Sequence, residues 1–330
     1  FSADGRHVVY STWDDEELGT LRIASVSGGK AKIISRQPGH YITPVLSPDG
    51  RHVVYQRVGG GWLTSPRWSK DEGLYALPVT PKGPETRVSH TGSDPHFGAA
   101  SDRVFFLDKV DKNERELRSA RLDGHELRHH VVSAEAMSFR VSPDERWIAW
   151  QEGFHVWMSP FVNTGRPWRL GPKEEGLPRV RVSEDSGYNM RWSGDSERLS
   201  WNLGPELFVH SLSDSIAELN DGEKARVPAK AHTLGFSFPH DQPPGGLALV
   251  GARLVTMEGD QVIEDGTLII KGNRIQALGP RDTTPVPKGF KVIDAKGMTA
   301  IPGLVDVHAH GAQAEFGITP ERSWLHDSTL

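Results

Sequence analysis

Five times along the chain a short turn runs into a strand in which large apolar residues recur at every second position. The copies begin at Phe1, Leu46, Phe97, Val141 and Trp192, so their spacings are 45, 51, 44 and 51 residues. In the second copy the turn reads Ser47-Pro-Asp-Gly50. Pro presets φ, Asp bonds its own backbone, and Gly accepts positive φ, so the chain reverses at that point. The residues that follow recur at period two: Val8 and Tyr10, Val53 and Tyr55, Val104 and Phe106, Ile148 and Trp150, Leu199 and Trp201. Such alternation predicts a strand with one apolar face. A second strand is expected 9 to 20 residues later in most copies, as in Leu21–Val26, Gly73–Val79, Leu117–Leu122, His155–Pro160 and Leu207–Leu212. Repeats of 40 to 50 residues built from short strands mark propeller blades, because one blade buries its faces only against its neighbours.

The repeat stops between about Ala229 and Gly246, where Phe236-Ser-Phe-Pro-His-Asp-Gln-Pro-Pro-Gly-Gly246 has the Pro and Gly density of a linker. Short β segments follow in Leu247–Thr256, Val262–Gly279 and Lys291–Ile301. The Lys271-Gly-Asn-Arg274 step between two apolar runs predicts a hairpin on a primed turn. The expected organisation is therefore a propeller over 1–235, a linker over 236–246, a small sheet over 247–301 and a different unit over 302–330.

Composition narrows the function classes. Lys and Arg (38) are interspersed with Asp and Glu (43), giving a net charge of −5, and form no basic stripe, so nucleic acid is not an expected partner. No apolar run reaches the roughly 18 residues of a membrane span. With Cys 0, thiolate ligands, disulfides and cysteine nucleophiles are excluded. Phe1 opens in mid-repeat without an initiator Met, and the expectation is a chain cut at both ends with further repeat upstream.

The candidate chemistry sits in Ile301-Pro-Gly-Leu-Val-Asp-Val-His-Ala-His310. On a strand, residues i and i+2 share a side about 7 Å apart, so His308 and His310 can grip one metal ion. With 15 His in 330 residues about one His-x-His arises by chance, so context decides. Here the pair closes an apolar run broken by Pro302-Gly303 behind a compact sheet. Asp306 shares their face but is assigned no catalytic role. Asp4, Asp49, Asp144 and Asp195 are read as turn residues rather than catalysts, Asp14–Glu17 and Lys173–Glu175 as solvated charges, and His326 as a solvated or capping residue. His129 and His130 are adjacent on a strand or turn, point oppositely and cannot chelate together. The tryptophans are expected at blade interfaces.

With these residues in view, 1 to about 235 resembles the TolB-like, WD-related propeller family through its Phe/Leu-Ser-Pro-Asp-Gly-Arg turn. Residues 247 to about 315 resemble the start of the amidohydrolase superfamily, in its imidazolonepropionase and prolidase-like branch, through Leu249–Thr256, Gly266–Ile275, Val292–Gly297 and Pro302–Gly311. The resemblance implies a mainly β chain: a β-propeller with five visible blades, part of an amidohydrolase β-sandwich, and the first strand of a (β/α)8 barrel at Leu304–His310. It also implies one or two divalent metals, zinc by default, held first by His308 and His310, and hydrolysis of a C–N bond in an amide, cyclic amide or dipeptide by metal-activated water. The later ligands and the proton-shuttling aspartate would come from further strands, and only 20 residues follow His310, so no catalytic residue is assigned and these 330 residues alone are expected to be inactive. The propeller would gate substrate or contact protein, and an exported bacterial protein, periplasmic or secreted, is expected, with a cytoplasmic location left open. The alternative is a propeller binding module with a degenerate hydrolase domain. A propeller-gated serine peptidase would need a Gly-x-Ser-x-Gly elbow, which the chain lacks.

Overall fold

In the computed structural model, residues 1–14, 16–59, 71–80, 83–111, 114–221, 227–237, 245–305 and 307 are described. They divide into two units, 1–235 and 236–330. Both are built of strands, with one helix among the described residues.

Unit one is a succession of five sheets in chain order. The first holds β1 (His7–Thr12), β2 (Thr20–Ser25) and β3 (Lys32–Ile33), and the second β4 (Tyr41–Leu46), β5 (His52–Arg57), β6 (Gly73–Pro78) and β7 (Thr86–Ser89). The third holds β8 (Ser93–Phe97), β9 (Arg103–Lys109), β10 (Arg115–Arg121) and β11 (Arg128–Ser133). The fourth runs through β12 (Ser138–Val141), β13 (Trp147–Glu152) and β14 (His155–Pro160), after which β15 (Trp168–Arg169) pairs parallel with β11 and β16 (Val180–Arg181) returns to β14. The fifth is β17 (Tyr188–Trp192), β18 (Arg198–Leu203), β19 (Glu206–Ser211) and β20 (Lys230–Thr233), with helix α1 (Leu212–Asp221) between the last two. Every neighbouring pair except β11 with β15 is antiparallel.

The period-two residues explain how the sheets stack. Val53 and Tyr55 of β5 pack toward Val9 and Leu21 of the first sheet, while Val54 between them packs toward Val104 and Phe106 of the third. Phe105 turns the other way, onto Phe139, Ile148 and Trp150 of the fourth sheet. Ala149 in turn faces Leu199 and Trp201 of the fifth. Each inner sheet therefore buries both faces, where the alternation alone predicts one. Close packing of this kind leaves no slack for added volume. A Cβ on Gly187 would lie 2.5 Å from Val156 Cγ2 and 2.6 Å from Trp201 Cδ1. Gly187→Ala is thus expected to lower stability by about 1–3 kcal/mol through overpacking, read as a lower urea midpoint at unchanged slope.

The repeated turns are built alike. Ser47 donates to Asp49 at 2.6 Å, Asp49 accepts the Arg51 N–H at 3.0 Å, and Ser47 Oγ accepts the His52 N–H at 3.0 Å. The turns at Ser2, Ser142 and Ser193 repeat these bonds with Asp4, Asp144 and Asp195. The carboxylates hold the turns in place. Turns of adjacent sheets are also joined, Asp49 N–H to Ser101 Oγ at 3.1 Å and Asp144 N–H to Ser196 Oγ at 3.0 Å.

Unit two is one sheet in which β21 (Gly246–Val255) pairs antiparallel with β22 (Val262–Lys271), and β22 with β23 (Arg274–Pro280). On its other side β21 pairs parallel with β24 (Lys291–Asp294) and β25 (Thr299–Ala300). Gly272 has φ +58 in the tight turn joining Lys271 to Arg274, the placement a type II′ hairpin requires. The fully buried apolar residues are few, Ala252, Leu254 and Ala295 among them. No helix among the described residues is long and apolar enough to cross a membrane.

Candidate functional site

His308, His310 and Asp306 lie outside the described residues, as does His326. The apolar run leading to them is described at Ile301–Val305 and Val307, which carry no strand pairing, and Leu304, Val305 and Val307 are almost fully exposed. The expected barrel strand therefore has no packing partner among the described residues. Nor do the described residues hold any group of three or more His, Asp or Glu placed to bind a metal.

The described polar chemistry concentrates instead on the first strands of the third, fourth and fifth sheets. Arg140 on β12 makes a two-pronged ion pair with Asp94 on β8, and its backbone carbonyl accepts the Trp192 indole N–H from β17 at 3.0 Å. His96 on β8 accepts the Val141 N–H at Nε2, 3.0 Å away. A ring that accepts at Nε2 carries its proton at Nδ1 when neutral, and Nδ1 has no partner among the described residues. Burial, together with the Arg140 charge, pushes the His96 pKa down to about 3. For Asp94 burial works upward, but the Arg140 guanidinium outweighs it and holds the carboxyl below its usual range. Arg191 on β17 faces the same group, and the neighbouring Arg140 charge lowers its pKa to about 10, with burial adding to the effect.

Repeat arithmetic places these groups. His96, Arg140 and Arg191 each stand two residues before the first residue of their turns, Gly98, Ser142 and Ser193, and Val45 holds that slot in the second sheet. Asp94 lies two residues earlier still. There the backbone turns left-handed, at φ +54 in Asp94, +49 in Thr43 and +54 in Asn189, within irregularities of the pairing registers of β8, β4 and β17. Sequence reading missed the cluster because it started each repeat at the turn. Comparing the residues before each turn would have found it.

Two further polar groups are structural in geometry. His130 is buried, with Nε2 2.8 Å from Ser119 Oγ, and burial plus the Arg103 charge lowers its pKa to about 4. Its neighbour His129 turns outward to Glu116, Nδ1 to Oε1 2.9 Å, so the adjacent pair does diverge. A cleft of about 640 Å³ lies beside β19 and α1, lined in part by Glu197, His210, Asp214, Lys230 and His232. There His210 Nε2 is 2.7 Å from Ser215 Oγ, but Ser215 is fully buried in the first turn of α1 and offers no exposed nucleophile.

No protein-family model matches the chain. Over 88 residues, 26% of this chain, it is 42% identical to the 5-methylthioadenosine/S-adenosylhomocysteine deaminase of Pelotomaculum thermopropionicum, covering 19% of that protein. Over 74 residues, 18% of this chain, it is 38% identical to the imidazolonepropionase of Alkaliphilus metalliredigens, covering 18% of that protein. The chain thus spans less than a fifth of the length of these curated relatives. Among solved structures it is similar to TolB from Acinetobacter baumannii, with TM-score 0.47 and 14% identity over 64% of this chain and 50% of that one.

Proposed function

We propose that the chain belongs to a metal-dependent amidohydrolase that hydrolyses a C–N bond in a small molecule, an amide, cyclic amide or dipeptide. In this reading unit one is a propeller that gates or orients substrate and can contact protein, and unit two opens the β-sandwich that precedes a (β/α)8 barrel. His308 and His310 are the first metal ligands, at the end of the first barrel strand. What carries the reading is the Asp306-Val-His-Ala-His310 run behind the β21–β25 sheet, together with the short-stretch identity to enzymes named as a deaminase and an imidazolonepropionase. The donor set suits the group, since neutral imidazoles bind zinc, nickel and iron. A bound divalent metal, zinc by default, would supply a water molecule of lowered pKa and polarise the substrate carbonyl. The two imidazoles hold the ion and fix its place at the strand end, and the remaining ligands and the proton shuttle must come from other residues of the enzyme. The protein is proposed to be exported.

Two imidazoles make half of a complete site and bind weakly. Titrating the 330 residues with Co²⁺ is expected to give imidazole-bound d–d absorption that weakens at least tenfold in His308→Ala and in His310→Ala. Equal absorption in the variants would overturn the ligand assignment. The enzyme that carries this chain, loaded with zinc, is expected to hydrolyse a cyclic amide or dipeptide, and no C–N cleavage by it would overturn the enzymatic reading.

A further inference from the structure

Unit one carries a charge arrangement that turn building and core packing do not use. Arg140 spends its guanidinium on Asp94. Arg191 makes no ion pair among the described residues, and its one hydrogen bond there runs from Nη1 to the Met190 carbonyl at 2.7 Å. Part of its surface reaches solvent, although its surroundings desolvate the guanidinium enough to help lower its pKa, whereas Arg140 and His96 are buried. An arginine guanidinium has five N–H donors in a planar fork suited to a carboxylate, so most of Arg191's donors remain for an external acceptor.

Charge balance selects the ligand. Arg140 and Arg191 supply two positive charges, Asp94 one negative charge, and His96 is neutral near pH 7 because burial keeps it so. The cluster is left with one positive charge. The Phe1 amino group also interacts with Arg191, and burial together with that charge favours its neutral form. The Arg140 and Arg191 charges repel, and an anion placed between solvent and Arg191 relieves that repulsion. The slot is a product of the repeat, since Val45, His96, Arg140 and Arg191 occupy one register position on successive first strands, and among the described residues Arg140 makes its ion pair with Asp94 whereas Arg191 feels Asp94 only at longer range.

We propose that Arg191, backed by the Arg140–Asp94 pair, binds the carboxylate of a monoanionic small molecule at the first-strand edge of the fourth and fifth sheets. The site lies wholly in unit one and does not depend on the hydrolase reading of unit two.

The test is an NMR titration of the Arg Nε–Hε signals of the 330-residue chain with sodium acetate, at constant ionic strength set by chloride, with inorganic phosphate in a parallel titration. The Arg191 signal is identified by its disappearance in Arg191→Lys. It is expected to shift saturably with acetate, and phosphate is expected to bind at least threefold more weakly. Affinity, followed in the variants by calorimetry, is expected to fall at least tenfold in Arg191→Gln, to fall less in Arg191→Lys, and to be unchanged in Arg198→Gln on the adjoining strand. Circular dichroism shows whether each variant is folded. A signal that moves no more with acetate than with chloride, tighter binding of phosphate than of acetate, or equal acetate affinity in folded Arg191→Gln and wild type would each overturn the proposal. Should Arg191→Gln fail to fold, the wild-type titration and Arg191→Lys decide alone.

Discussion

Replacing Trp150 by alanine is expected to destabilise unit one by about 3–5 kcal/mol, a large fraction of the stability of an ordinary domain. Trp150 is fully buried on β13, in the core that joins the third and fourth sheets, and its ring stacks on Trp157 with centroids 6.1 Å apart. Removing it withdraws contacts from both sheets, and the cavity cannot collapse without moving Phe139, Val141 and Ile148. Trp150→Phe should cost less, because much of the ring volume remains. Leu127→Ala, at a site half exposed, is expected to stay within about 0.5 kcal/mol. Urea melts of the three variants check the ordering, and a Trp150→Ala midpoint equal to that of Leu127→Ala would contradict the packing described.

Acid is expected to unfold unit one earlier than carboxylate protonation alone would. His96 and His130 have native pKa values lowered to about 3 and about 4, against 6.5 for the unfolded chain. Below pH 6.5 the unfolded state takes up a proton at each ring and the native state does not. Stability is therefore full above pH 6.5 and falls with decreasing pH, by up to about 1.4 kcal/mol per pH unit for each histidine, until the native rings titrate. Asp94, whose native pKa is depressed, adds a loss of its own as the pH falls through its native value. Denaturant melts between pH 4 and 7 should show this slope, and proton uptake on unfolding should approach two at pH 5. His130→Gln is expected to remove about one of those protons, and an unchanged slope in that variant would argue against a neutral buried imidazole.

Much of unit one could be read from sequence because an apolar pair recurs at period two after each turn. Val53, Tyr55, Ile148, Trp150, Leu199 and Trp201 all face the preceding sheet, as period two implies. What escaped was the first strand of the second to fifth sheets. These strands are short, β4, β8 and β17 are bulged, and β4 and β8 contain Pro44 and Pro95, tolerated because both lie at a sheet edge. Their polar residues blur any alternation, and it is these strands that hold Asp94, His96, Arg140 and Arg191. Helix α1, Leu-Ser-Asp-Ser-Ile-Ala-Glu-Leu-Asn-Asp, was also missed, since its one turn of apolar spacing interrupts a strand pattern. Trp150, Trp157, Trp168, Trp192 and Trp201 join the cores between sheets as expected, whereas Trp13 is 42% exposed. The reading of His308 and His310 as metal ligands comes from spacing and context, and both lie outside the described residues.

The bonds from Asp49 to Ser101 and from Asp144 to Ser196 each cross 52 residues of sequence, and each middle sheet offers one face to its predecessor and the other to its successor. The junctions of the second with the third sheet and of the fourth with the fifth are therefore fastened alike, whereas the third meets the fourth through Ala99 N–H and the Glu145 carboxylate. A copy moved from one place in the array to another would keep its apolar faces but would have to find a new fastening for its turn.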